Sequence, residues 1–76
     1  MKQLIEGVVR GLVAQPEAVT VTEKSEGPMT VLEVHAAAAD LGRLIGTHGR
    51  TVRSLRTLLA AAARHSATRY RLEIDE

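Results

Sequence analysis

The spacing of apolar residues changes at Pro16, and that change constrains the fold more than any other feature of the chain. Before it, Leu4, Ile5, Val8, Val9, Leu12 and Val13 repeat at four-residue spacing, the stripe of an amphipathic helix. Gln15-Pro16 ends this helix, because proline disfavours a helical conformation in the residue before it. Beyond it, Val19-Thr20-Val21-Thr22 alternates and is β-branched throughout, which predicts a strand. Ser25-Glu26-Gly27-Pro28 predicts a turn. Met29 to Ala36 predicts a second strand with Thr30, Leu32, Val34 and Ala36 on one face, so the two strands form a hairpin. Gly7 and Gly11, four apart on the first helix, either admit another backbone closely or only weaken the helix by about 1 kcal/mol each.

Helical spacing then returns. Ala38 to Ile45 predicts a short helix, weakly capped because Ala37 offers no side-chain acceptor, and Gly46 stops it. Gly49 opens a second helix from Arg50 to about His65, with Val52, Leu55, Leu58, Leu59 and Ala62 on one side. Arg50 and Arg53 fall on the opposite side and Arg56 nearer the boundary. Arg69 to Ile74 alternates polar and apolar residues, the pattern of a last strand. The order α-β-β-α-α-β predicts a small α+β domain over 1–76, a three-stranded sheet with helices packed on one face. A chain of 76 residues buries only about 60% of its unfolded surface, so the core is thin and help from a partner or a second copy is expected.

Composition removes several function classes. Cysteine is absent, which excludes disulfides, thiolate nucleophiles and Cys-containing zinc sites. No apolar run approaches the roughly 20 residues of a membrane span and no signal peptide precedes the first helix, so a soluble, cytoplasmic protein without membrane attachment is expected. Tyr70 is the one aromatic residue, which argues against modules that stack bases on an aromatic platform. The formal net charge of +1 hides an asymmetry. Residues 40–56 carry Arg43, Arg50, Arg53 and Arg56 against Asp40 alone, whereas residues 1–39 carry three bases and five acids. Such a basic segment has somewhere to put an anion.

That segment surrounds Gly46-Thr47-His48-Gly49, two glycines three apart between two helices. Without Cβ atoms, Gly46 and Gly49 would let a phosphodiester approach the loop. The next helix offers the positive end of its dipole, and Arg43, Arg50 and Arg53 can add charge-assisted contacts. On spacing alone, an anion site and a tight helix–turn–helix corner remain equally open. The P-loop pattern is absent, and the dinucleotide fingerprint is excluded because these glycines follow a helix.

The run Gly42-Arg43-Leu44-Ile45-Gly46-Thr47-His48-Gly49-Arg50-Thr51-Val52 resembles the (I/L)-I-G-x-x-G-x-x-(I/V) signature of the KH domain, and the element order is similar to its type II arrangement. End to end, the chain resembles the small bacterial single-KH proteins of the KhpA family. The resemblance implies single-stranded RNA binding, with Gly46, Thr47, His48 and Gly49 clamping the backbone of about four nucleotides. Leu44, Ile45 and Val52 would build the groove floor or the core beneath, and Arg43, Arg50 and Arg53 would supply charge. KH loops usually carry a lysine or arginine at one variable position. Thr47 and His48 stand there in this chain, so affinity is expected to be modest and somewhat pH-sensitive. Few side chains near the loop can hydrogen-bond base edges, so weak base preference is expected. The family further implies a role as RNA chaperone or post-transcriptional regulator in cell-shape or envelope control. It also implies pairing with itself or with KhpB, a larger protein that also contains a KH domain.

The remaining residues point to no other chemistry. His35, His48 and His65 lie 13 and 17 residues apart, without ligand spacing, and neither a metal nor another cofactor is expected. Ser25, Ser54 and Ser66 lack a nucleophile elbow and no carboxylates pair as acid and base, so no catalytic residue is assigned. Ala60 to Ala63 is a run of small residues that must be partly exposed, which suits close approach of another chain. The competing reading is a protein-interaction module that docks a KhpB-type partner with little RNA binding of its own.

Overall fold

The hairpin and the last strand form one sheet of order β1-β2-β3: β1 (Thr20–Glu26), β2 (Met29–His35) and β3 (Arg69–Ile74). The computed structural model describes residues 1–75. β1 pairs antiparallel with β2, from Thr20 opposite His35 to Glu26 opposite Met29. β3 pairs parallel with β2, Leu72 opposite Leu32, so the chain crosses over between them. The crossover carries α2 (Leu41–Ile45) and α3 (Arg50–Ala62), and α1 (Lys2–Leu12) precedes the hairpin. The α+β class, the order α-β-β-α-α-β and the helices on one face are those expected from the sequence.

Leu32 and Val34 on β2 and Leu72 on β3 face the helices. There they join Ile5 and Val9 of α1, Leu44 of α2, and Leu55 and Leu59 of α3 in one core. Partly buried Ala36 packs against it, as the alternation on β2 requires. The opposite face carries charge. Lys24 Nζ lies 3.0 Å from Glu33, whose hydrogen bond and charge raise the pKa of that ammonium above its ordinary value. Arg71 pairs with Glu26 at 3.2 Å and Glu73 at 3.0 Å. Val31 is on this face and yet only 1% exposed. Its register neighbours are Lys24 and Arg71, and their long aliphatic stems account for its burial.

Several boundaries differ from the sequence-based expectation. β1 runs four residues further, to Glu26, because its ladder with β2 continues to the turn at Gly27-Pro28. β2 ends at His35, one residue short. The segment before α2 is a 3₁₀ turn, Ala38–Asp40, that gives way to α-helix only at Leu41. α3 ends at Ala62, where Arg64 and Ser66 bond back to Ala61 and Ala63 and the chain turns toward β3. Two positions placed on the core side of α3 are exposed, Leu58 at 37% and Ala62. On α1 the stripe divides: Ile5 and Val9 are fully buried, whereas Leu4 and Leu12 stay about 40% exposed.

Candidate nucleic-acid interface

Gly46 and Gly49 do different work at the corner between α2 and α3. Gly46 stands at φ 77°, ψ 170°, a region that essentially only glycine occupies. A Cβ there would lie 2.8 Å from both the backbone N and the Cβ of Thr51. Its missing side chain therefore makes room for Thr51, not for a ligand. Gly49 is left-handed, φ 73° and ψ 17°, and a Cβ there would meet nothing nearer than Val52 Cγ1 at 3.9 Å. The open approach anticipated at both glycines exists at Gly49.

Between them, Thr47 and His48 are exposed. His48 is also left-handed, φ 56° and ψ 27°, a conformation that costs a side-chain-bearing residue about 1 kcal/mol. The turn's internal bonds run from Gly49 N to Gly46 O at 3.1 Å and from Arg50 N to Thr47 O. The N–H groups of Thr47 and His48 lie outside this bonding.

The arginines sit around the corner in three different ways. Arg50 is exposed and has no acidic partner among the described residues. Arg53 folds back on the loop, donating from Nη2 to the His48 carbonyl at 3.0 Å and from Nε to the Gly49 carbonyl at 3.3 Å. Arg43 is largely exposed, with Nε 3.6 Å from Asp40 Oδ1. An open concavity of about 490 Å³ along the outer side of α3 is lined by Arg50, Arg53, Ser54 and Thr57. α3 has no acidic residue in its first turn. Cations at the positive pole of a helix oppose its dipole, by typically 0.3–1 kcal/mol each, and an anion there would reverse the sign. Of the apolar flanks, Leu44 is fully buried in the core, Val52 nearly so, and Ile45 half-buried beside the loop. Gly46, Thr47, His48, Gly49, Arg50 and Arg53 thus come together at one corner, with Arg43 and Ile45 at its α2 side.

The contacts of two residues escaped the sequence reading. Asp40 is 1% exposed and its carboxylate accepts the backbone N–H of Ala14 and Gln15, each at 3.1 Å, so it ties the end of α1 to the start of α2. A lone acid in a basic segment reads as a solvated charge, and no local pattern reveals partners 25 and 26 residues away. Arg56 donates from Nε and Nη2 to the Leu72 carbonyl of β3, both at 3.4 Å. Among the described residues no three His, Cys, Asp or Glu side chains gather where they could hold a metal ion, and no helix is long and apolar enough to cross a membrane.

A mixed three-stranded sheet with three helices on one face and a two-glycine turn joining the crossover helices is the arrangement of a single KH domain. The chain matches the family model described as KhpA/KhpB, KH domain, over residues 2–74, and it belongs to that family. It is 47% identical over 73 residues to the RNA-binding protein KhpA of Treponema pallidum, covering 96% of this chain and 91% of that one. It is 36% identical to that of Chlamydia pneumoniae, covering 100% of this chain and 97% of the other. The Thermotoga maritima protein of the same name is 44% identical over 61 residues, 80% of this chain and 81% of its own. No solved structure matches the chain.

Proposed function

We propose that the chain is a non-enzymatic, single-stranded RNA-binding protein that grips about four nucleotides at the Gly46–Gly49 turn. The observation that carries this reading is the pair Arg50 and Arg53 at the positive pole of α3 with no carboxylate in its first turn, and Arg43 on the neighbouring α2. A phosphodiester on the exposed Thr47–His48 turn supplies the negative charge that this end of the molecule lacks. Relatives bearing the name RNA-binding protein KhpA support RNA as the ligand. Arg50 and Arg43 reach phosphates directly, while Arg53 holds the loop carbonyls and adds its charge from behind. Ile45 borders the bases. The family reading makes the protein a bacterial, cytoplasmic RNA chaperone or post-transcriptional regulator acting on cell shape or envelope.

Self-association, or pairing with a larger KH-containing protein of the KhpB type, accompanies RNA binding in this reading. Met1, Leu4, Leu12 and Leu58 are the exposed large apolar side chains of the described residues, all on or beside α1 and α3. Ala60, Ala61 and Ala62 are exposed next to Leu58. A Cβ at Gly7 or Gly11 would touch nothing within 4 Å, so neither glycine serves a close contact among the described residues. Two domains brought together would raise affinity through effective concentration.

The test is fluorescence anisotropy of labelled single-stranded RNA and matched duplex across salt, with wild type beside the Thr47→Asp/His48→Asp protein. Single-strand binding should weaken with a log–log salt slope of roughly −2.8, from about −0.7 for each of four phosphates. The double variant should lose it. No binding at low salt, or binding indifferent to the two aspartates, overturns the reading and makes the apolar helix faces and a protein partner the working surface.

A further inference from the structure

Between Asp40 and Glu73 the chain holds seven arginines and no acidic residue. Four of them are engaged: Arg43 with Asp40, Arg53 with the loop carbonyls, Arg56 with the Leu72 carbonyl, and Arg71 with Glu26 and Glu73. Arg50, Arg64 and Arg69 are exposed and have no acidic partner among the described residues. Arg69 shares the far face of the sheet with Arg71, as strand alternation requires. Arg50 and Arg64 stand at the two ends of the outer side of α3.

Thr57 lies midway between those two, and seven-residue spacing keeps all three on one side of the helix. α3 ends at Ala62, but Ala63 N–H still bonds to Leu59 O at 2.9 Å and Arg64 N–H to Ala61 O at 3.3 Å, so the winding carries on to Arg64. Arg50 to Arg64 is about 21 Å along the axis. Near the loop this side holds the open hollow of about 490 Å³ lined by Arg50, Arg53, Ser54 and Thr57. Further on, exposed Ala60 and Ala61 keep the surface low, so another chain can lie close to the helix as far as Arg64. Leu58 and Ala62 sit about 100° around the axis from Thr57 and Ala61, so the apolar flank is a different one.

The hydroxyls in the hollow narrow the ligand. Ser54 Oγ donates to Arg50 O and Thr57 Oγ1 to Arg53 O, each at 3.0 Å. With its proton on a helix carbonyl, a hydroxyl presents only lone pairs outward. The hollow thus sets acceptors among guanidiniums, which only donate. A bare anion uses the arginines and not the hydroxyls. A ribose-phosphate chain uses both, because its phosphates accept and its 2′-hydroxyls donate.

Resting on the RNA reading above, we propose that the outer side of α3, from Arg50 to Arg64, binds the ribose-phosphate backbone of single-stranded RNA beyond the nucleotides held at the Gly46–Gly49 turn. Arg64 takes a phosphate at the far end, and Ser54 and Thr57 accept hydrogen bonds from 2′-hydroxyls on the way. The site is thereby longer than the loop, indifferent to base and selective for ribose.

The experiment measures anisotropy of five- and ten-nucleotide uridine RNAs and a ten-nucleotide deoxyuridine DNA across salt, with the full chain as wild type, Arg64→Gln and Ser54→Ala/Thr57→Ala. For wild type the log–log salt slope of the RNA decamer should be steeper than that of the pentamer by about 0.7, one more phosphate neutralised on a single strand. The added registers of a longer strand raise affinity without changing that slope. Arg64→Gln should remove the increment and weaken the decamer about fivefold, while the pentamer stays within about twofold of wild type. Wild type should favour the RNA decamer over the DNA decamer by about tenfold, two hydrogen bonds of ordinary net strength. The double-alanine variant should bring the two within about twofold, and it keeps its fold because alanine is the better helix former. Equal slopes for the two lengths overturn the outer site and leave the loop reading standing, as does an equal loss at both lengths in Arg64→Gln. Equal affinity of wild type for the two decamers, or a ribose preference undiminished in the double-alanine variant, overturns the ribose contacts. Binding of no oligonucleotide, or undiminished binding by Thr47→Asp/His48→Asp, overturns the loop reading and this one with it.

Discussion

Arg53 Nη2 donates to the carbonyl oxygen of His48 at 3.0 Å, so a residue of the first turns of α3 closes back on the loop that precedes its own helix. Its Nε takes the Gly49 carbonyl as well. The side chain thus satisfies two carbonyls of the turn, and it braces a histidine held in a left-handed conformation. Charge and loop shape are coupled through one guanidinium.

Replacing Arg53 with alanine should therefore weaken RNA binding by about tenfold, near 1.4 kcal/mol, while changing stability by about 1 kcal/mol or less because the bonds are exposed. Arg53→Lys restores the charge and not the two-carbonyl geometry, and should recover less than half of the loss. Anisotropy beside a urea melt separates the two effects. Full recovery by lysine would reduce Arg53 to a point charge.

The two glycines should respond unequally. Gly46→Ala enters a glycine-only backbone region and drives a methyl into Thr51, costing about 3 kcal/mol or more. Gly49→Ala faces open space and only the left-handed cost, about 1–2 kcal/mol. Chemical denaturation of both variants checks the order, and equal losses would contradict the role given to Thr51.

Asp40→Ala should destabilise the protein by about 2–3 kcal/mol, since the N–H groups of Ala14 and Gln15 lose their acceptors. Asp40→Asn should fall between, because an amide presents one oxygen where two are used. Urea midpoints at constant slope decide this. A near-neutral Asp40→Ala would mean that water replaces the carboxylate without loss.

On the helix faces, Leu4→Ser with Leu12→Ser should leave the fold within about 1 kcal/mol of wild type, since both side chains are already about 40% exposed. If those leucines cover one another between copies, sedimentation should shift from dimer to monomer and RNA affinity should fall with it. A wild-type protein that sediments as a monomer at micromolar concentration would remove the homodimer from the reading.

The elements were legible because each carries its own period. The four-residue stripe of α1, the β-branched run of β1 and the alternation of β3 are local signals, and so is the glycine pair that breaks the crossover into two helices. Glu23-Lys24-Ser25-Glu26 hid the end of β1, since no apolar residue marks it and only pairing with Met29 to Leu32 keeps it extended. Leu58 and Ala62 misled in the opposite direction. Their helical phase is apolar, but the buried arc of α3 is Val52, Leu55 and Leu59, and nothing among the described residues covers the next flank.

The sequence by itself determined the class of fold, the place of the loop and the sign of the charge around it, because periodicity, glycine spacing and arginine positions are properties of neighbouring residues. Only the tertiary structure decided that Gly46 yields space to Thr51, that Asp40 holds the end of α1, and that Arg53 braces the loop while Arg56 reaches the edge of β3. Hydrogen bonds across 16 or 26 residues depend on how the chain closes on itself. For Asp40 and Arg56 no short window of sequence contains both partners, and at the loop the backbone angles of Gly46 and His48, set when the two helices pack, decide which neighbours meet.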